Sequence, residues 1–273
     1  MAEVRAAPET GAEVIAAAFS GHGRTAALMP YLMGGYPSAA ASLAVGRAYA
    51  EHADLVELGV PFSDPLADGP AIQVAGQRAL EAGTTLEVVL DEVAAPLSRS
   101  VPTVVMCYVN PLLARGFERS VAELAARGVS GVIVPDMPAA EAGELRAACD
   151  AAGIALIPLV APTTPPADVR FIAEHARGFV YVVSVTGVTG ERTELPAELP
   201  EIVERVRAAT SLPVAVGFGV GTPAQARSVG EIADGVIIGS RLVREVAEAP
   251  SFDDALAGIE RFLDQTAAAL SAG

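Results

Sequence analysis

Lysine is missing from this chain: all 18 basic residues are Arg. A Schiff base to a carbonyl substrate or to pyridoxal phosphate needs a Lys amine, so neither chemistry runs on this polypeptide. A Walker-type phosphate loop is excluded for the same reason. Histidine is scarce. His22, His52 and His175 show no paired spacing, which argues against a His-rich zinc site. Trp is absent. Cys107 and Cys149 cannot make a disulfide framework, and a reduced, cytoplasmic setting is expected. No apolar run reaches the ~18 residues of a membrane span. Glu3 and Arg5 precede no apolar signal core, so no secretion signal is expected either. Positive charge is in deficit, with a formal net charge of −15, which argues against a nucleic-acid footprint. An acidic balance by itself implies only solubility. Carboxylates, Tyr, Ser/Thr and backbone amides remain to carry any chemistry.

What is present is a regular alternation. Eight short apolar runs occur between residues 26 and 238: 26–33, 55–58, 102–108, 131–134, 155–160, 179–183, 213–217 and 235–238. Most are rich in β-branched residues, as expected of strands buried on both faces. Ala-rich amphipathic stretches separate them. In 117–127, FERSVAELAAR, Val121, Leu124 and Ala125 share one helical face. Eight strand–helix units predict a single α/β domain over residues 1–273, a (β/α)8 TIM barrel. A doubly wound open sheet is the alternative, but no break in composition marks a second domain. The first 25 residues and the tail after Pro250 are expected to form helical caps. At 273 residues the chain matches the ~250 typical of such barrels.

Chemistry in these barrels gathers on the loops after the strands. In Leu55–Gly69, LVELGVPFSDPLADG, Glu57 stands inside an apolar strand. Period-two alternation puts Leu55 and Glu57 on one face. If that face lines the barrel mouth, Glu57 is a carboxyl with a raised pKa, suited to proton transfer. Pairing with an Arg or a hydroxyl would make it merely structural. Asp64 and Asp68 follow in a loop punctuated by Pro61, Pro65, Gly69 and Pro70. Both are turn or cap residues by default, and local composition does not choose between them.

Three Gly-rich strand ends come late: SVTGVTGE (184–191), GFGVGT (217–222) and GSR (239–241). Gly lets backbone approach a ligand, and the next helix offers free N–H groups to an anion. The last two fall after predicted strands 7 and 8, the recurring phosphate position of this barrel class. Tyr31, Phe62, Tyr108, Phe179, Tyr181 and Phe218 stand at or next to strand ends. Convergence of several of them on the mouth would suit a flat aromatic substrate.

Leu55–Gln73, LVELGVPFSDPLADGPAIQ, resembles the tryptophan synthase α-subunit family. The likeness continues through PYLMGGYP (30–37), MCYVNPLL (106–113), GVIVPDMPAAE (131–141), YVVSVTGVTGE (181–191), PVAVGFGV (213–220) and ADGVIIGSRLV (233–243). It spans roughly residues 20 to 265 in one register. The resemblance implies a (β/α)8 barrel that cleaves indole-3-glycerol phosphate to indole and glyceraldehyde 3-phosphate. It implies catalytic roles for Glu57 and Asp68, and an indole pocket of Tyr31, Tyr108, Tyr181 and Phe218. It assigns phosphate contacts to Gly190, Gly219, Gly239 and Ser240. It also implies a mobile loop over Ser184–Leu195, whose Thr189 meets Asp68 on closure, and a supporting position for Asp136.

No cofactor is expected in this chain. Pyridoxal phosphate is expected only in a partner β subunit of an α2β2 tetramer, with Asp64, Pro65 and the 184–195 loop coupling the two. Two departures stand out: Tyr36 where the family often has Asp, and SVTG where it often has SRAG. Neither touches the two acids. Glu57 is the expected proton-transfer residue and Asp68 the anion stabilising positive charge at the indole nitrogen. The rival expectations are a self-sufficient indole-releasing lyase and a catalytically silent barrel that activates a partner.

Overall fold

The computed structural model describes residues 10–183, 196–217 and 219–271. Helix α1 (Gly11–Ser20) precedes β1 (Ala27–Met33), α2 (Ala39–Ala50), β2 (Val56–Gly59) and α3 (Pro70–Glu81). An irregular helical stretch follows: α4 (Leu86–Val88), a π-helical segment over Val89–Ala94, and α5 (Ala95–Leu97). Next come β3 (Thr103–Met106), α6 (Val109–Leu113), α7 (Phe117–Ala126), β4 (Gly131–Ile133) and α8 (Gly143–Ala152). Then β5 (Ala155–Ile157), β6 (Leu159–Val160), α9 (Pro166–His175), β7 (Val180–Val183) and α10 (Leu199–Arg207) follow. The chain continues through β8 (Val214–Gly217), α11 (Pro223–Gly230), β9 (Gly235–Ile238), α12 (Ser240–Glu248) and α13 (Phe252–Ser271).

All eight anticipated runs form strands, and every described strand pairing is parallel. The order is β5-β4-β3-β2-β1-β9-β8-β7-β6. The two ends of that order are one expected strand, 155–160, divided at Pro158. Proline has no N–H to donate to a ladder. Its carbonyl still accepts from Tyr181 N at 3.0 Å. The first half of the run pairs with β4 and the second with β7, so the ring closes through the break.

Alternation along the strands divides the core into two layers. Ala27, Met29, Tyr31, Leu55, Val104, Ile133, Ile157, Phe179, Tyr181, Ala215 and Ile237 fill the barrel interior. Leu28, Leu32, Val56, Leu58, Val105, Val132, Val182, Val216 and Val236 pack outward against the helices. One residue in two faces each layer, and both layers are apolar. That is why the strands read as unbroken hydrophobic runs.

Helix α1 closes one end of the barrel as anticipated, whereas the tail helix α13 is not an end cap: it packs outside the barrel against α2, α11 and α12. Thr10 caps α1 by a reciprocal box with Glu13. Ile15 of α1 is fully buried with the interior layer, and Phe19 packs on Phe179 with ring centroids 5.4 Å apart. Phe179 therefore belongs to the barrel floor, not to the mouth where aromatic convergence was expected. At the other terminus, Leu270 O of α13 accepts from both Thr25 N and Thr25 Oγ1 at 2.9 Å, which anchors the tail beside the start of β1. Among the described residues no helix is long and apolar enough to cross a membrane.

Candidate active site

Glu57 lies in β2, register-paired with Tyr31 of β1 and Val104 of β3. Both partners face the interior, and Glu57 shares their face. It is 2% exposed, and its Oε2 has no hydrogen-bond partner. Among the described residues no Arg pairs with this carboxylate. Burial, with the nearby Asp68 charge adding to it, pushes the Glu57 carboxyl up to about 8.

Asp68 sits in the loop between β2 and α3. It is buried, whereas Asp64 four residues earlier is exposed. The fold thus makes a distinction that composition leaves open. Helix α3 begins after Gly69 with Pro70 at its first position and no side-chain cap, so Asp68 is not a cap. The loop is held from α3: Gln73 Nε2 donates to Pro65 O at 3.2 Å and to Asp68 O at 2.9 Å. Tyr108, just beyond β3, holds its other side. The Tyr108 hydroxyl accepts from Ala67 N at 3.0 Å and is hydrogen-bonded to the Asp68 carboxyl. Burial raises Asp68 to about 6, with the Tyr108 hydrogen bond opposing the rise.

The two carboxyls are therefore pushed apart. Near neutral pH Glu57 holds a proton and Asp68 is an anion, the division of labour that acid catalysis beside a developing cation requires.

Tyr31 and Tyr181 are buried in the same interior layer. Each has its phenol raised well above the usual range, by burial first and then by the two acids. Both hydroxyls depend on a neighbouring glycine. A Cβ on Gly59 would fall 2.0 Å from Tyr31 Oη, and one on Gly217 would fall 2.2 Å from Tyr181 Oη. Gly59, at the end of β2, carries no signal in the sequence, and Gly217, at the end of β8, reads there only as the start of a ligand-approach turn, because the close contact with a tyrosine appears only in cross-strand register. Phe62 stacks on Tyr108 at 4.9 Å. Asp136 Oδ1 accepts from Val109 N at 2.9 Å, which fixes the start of α6 directly after Tyr108.

The phosphate candidates separate. Gly219 has φ +95°, a conformation that favours Gly. Beyond it, the amides of Gly221 and Thr222 already donate to Gln225 Oε1, closing the N-terminus of α11. Helix α12 differs: it starts at Gly239–Ser240 with no side-chain cap. Among the described residues, the nearest neighbours of a Cβ on Gly239 would be Ile72 and Tyr31, at 3.6 Å or more. Packing does not demand Gly there, and the open N-terminal amides suit an anion. Thr189, Gly190, Phe218 and the 184–195 loop lie outside the described residues.

A separate cavity of about 510 Å³ opens between α8 and α9, lined by Val134, Met137, Pro158, Thr164 and Phe171 among others. Asp136 is on its wall; Glu57, Asp68 and the three tyrosines are not. Among the described residues no group of three or more His, Cys, Asp or Glu is placed to hold a metal.

A family model described as tryptophan synthase alpha chain matches residues 19–270. The tryptophan synthase alpha chain of Roseiflexus sp. is 51% identical over 231 residues, covering 84% of this chain and 88% of that one. That of Geobacter sulfurreducens is 48% identical, covering 82% and 85%. Among solved structures, tryptophan synthase of Mycobacterium tuberculosis superposes with a TM-score of 0.87 at 38% identity, covering 95% of this chain and 98% of that one. A structure explaining mutual activation in the α2β2 tryptophan synthase complex of Pyrococcus furiosus gives 0.83 at 35% identity, covering 89% and 98%.

Proposed function

The chain belongs to the tryptophan synthase alpha chain family, lyases that cleave indole-3-glycerol phosphate to indole and glyceraldehyde 3-phosphate, and on that premise we propose how its residues divide the work. Protonated Glu57 delivers a proton to C3 of the indole. The ring becomes an indoleninium-like electron sink, and Asp68 stabilises its positive charge at the nitrogen. The bond from C3 to the glyceryl chain then breaks. Its electron pair returns to the ring, while the adjacent hydroxyl passes its proton to the Glu57 carboxylate left by the first transfer and becomes the aldehyde. Tyr108, Tyr181 and Phe218 wall the indole. The amides near Gly190, Gly219, Gly239 and Ser240 hold the phosphate. In this reading residues 1–273 form one cytoplasmic domain.

One observation carries the assignment. A carboxyl with an unpaired oxygen is buried in the barrel interior beside a second acid of lower pKa. Burying such a group costs stability, and a role in catalysis is what retains it at that cost. Intact acids count against a catalytically silent barrel. The test is indole release by wild type and Glu57→Gln, with the fold checked by circular dichroism. Gln keeps the size but cannot exchange the proton, so a loss of at least ~10²-fold is expected. Near-normal turnover would refute the role.

The partner in this reading is a β subunit, in an α2β2 assembly like that of the Pyrococcus furiosus relative. Pyridoxal phosphate then belongs to that partner. Asp64 and Pro65, on the loop that carries Asp68, and the 184–195 segment would transmit its binding, with Thr189 orienting Asp68. Saturating β subunit is expected to raise the cleavage rate, and Thr189→Val to remove most of that rise while β binding persists. A rate equal with and without β would favour the self-sufficient lyase.

A further inference from the structure

Tyr31 bridges the two ends of the proposed site. Its stem lies at the phosphate turn, where a Cβ on Gly239 would sit 3.6 Å from Tyr31 Cβ and 3.7 Å from its Cδ1. Its hydroxyl lies over the end of β2, in the space that a Gly59 side chain would occupy. Glu57 precedes Gly59 by two residues, so both share the interior face. One side chain thus runs from the anion-binding turn to the strand end that carries the acid. A substrate held by its phosphate at α12 and protonated at the indole by Glu57 must lay its hydroxylated three-carbon chain along this interval. The side chain it meets there ends in a hydroxyl.

That hydroxyl is poorly satisfied within the protein. Tyr31 is 4% exposed, and among the described residues its hydroxyl meets only the Met33 thioether, at 4.0 Å. Sulfur is a weak acceptor, and a buried phenol ordinarily finds oxygen or nitrogen. A substrate hydroxyl would supply what the protein does not.

We propose that the Tyr31 hydroxyl donates a hydrogen bond to the glyceryl oxygen that becomes the aldehyde, holding it as the C–C bond breaks. The idea rests on the assignments of Glu57 and the phosphate turn, and it moves Tyr31 from the indole wall to the glyceryl chain. As the oxygen loses its proton to the Glu57 carboxylate, a donor aimed at it stabilises the negative charge that develops. Tyr31 keeps its own proton, because burial beside Asp68 and Glu57 disfavours the phenolate.

Tyr31→Phe keeps the ring between Gly59 and Gly239 and removes only the oxygen. Two quantities are read with the full chain and saturating β subunit. One is kcat/KM for indole-3-glycerol phosphate. The other is Kd for 3-(indol-3-yl)propyl phosphate, which keeps ring and phosphate but has no hydroxyl. The expected result is a fall in kcat/KM of roughly 10- to 100-fold, as for loss of one charge-assisted hydrogen bond, with the analogue's Kd changed less than about twofold. An unchanged kcat/KM would overturn the proposal. So would a parallel loss of analogue affinity, which would make Tyr31 a packing residue only. A wild-type chain that neither cleaves the substrate nor binds the analogue would bring down the underlying reading of the site, a result distinct from both.

Discussion

Replacing Glu57 with Gln alters stability as well as activity, and pH sets the size of the change. The wild-type carboxyl ordinarily titrates near 4.5 and is pushed to about 8 in the fold, chiefly by burial. Between those two values the folded chain holds a proton that the unfolded chain has released. The folded state therefore binds more protons, and stability falls as pH rises. Each pH unit in that interval is worth about 1.4 kcal/mol. The loss is absent below pH 4.5, amounts to roughly 3 kcal/mol at pH 7 and levels off at about 5 kcal/mol above pH 8. Against a typical total of about 5–15 kcal/mol this is a large fraction.

Gln carries no such penalty. Its amide group brings an offset of its own, but that offset does not vary with pH. Asp68, raised to about 6, contributes to both proteins. The difference between the two curves then isolates Glu57. Urea denaturation from pH 5 to pH 9, extrapolated linearly to water, measures it. The gap between mutant and wild type is expected to widen in favour of Gln by several kcal/mol from pH 5 to pH 8, then stay level. A gap constant to within about 1 kcal/mol across that range would show that the carboxyl is not desolvated, and the catalytic argument would lose its basis.

Tyr108→Phe removes the hydrogen bond that holds Asp68 down, so the acid limb of kcat/KM is expected to move to higher pH from near 6, with roughly tenfold lower activity at pH 6. An unmoved limb in a pH–rate profile would count against Asp68 acting as an anion. Gly217→Ala places a methyl where the Tyr181 hydroxyl lies, 2.2 Å away, and is expected to cost about 1–3 kcal/mol in a denaturant melt. Gly239→Ala meets only ordinary contacts in the protein, so its melting temperature should hold within a few degrees while KM rises about tenfold. A KM equal to that of wild type would remove the α12 turn from phosphate binding.

Much of the architecture was legible in one dimension. Buried parallel strands announce themselves as short β-branched runs, because both faces are covered. All eight were found, and alternation put Leu55 and Glu57 on one face. A lone acid inside an apolar run is visible by its cost alone. The absence of Lys removed whole chemistries before any coordinate was known. These are local properties of composition and period, and they do not depend on which segments meet.

What depended on meeting was decided only in three dimensions. Asp64 and Asp68 look alike in sequence. Gln73 and Tyr108, from two other elements, fold the loop so that one acid is exposed and the other buried. Phe179 looked like a mouth aromatic until α1 laid Phe19 against it at the floor. Gly59 looked like an ordinary strand end, and Gly217 like the start of a ligand-approach turn, until register brought tyrosine hydroxyls over them. The Gly221 and Thr222 amides looked free for an anion until Gln225 took them. Period records which way a side chain points along its own strand; pKa, packing and hydrogen-bond supply are set by neighbours that arrive from elsewhere in the chain.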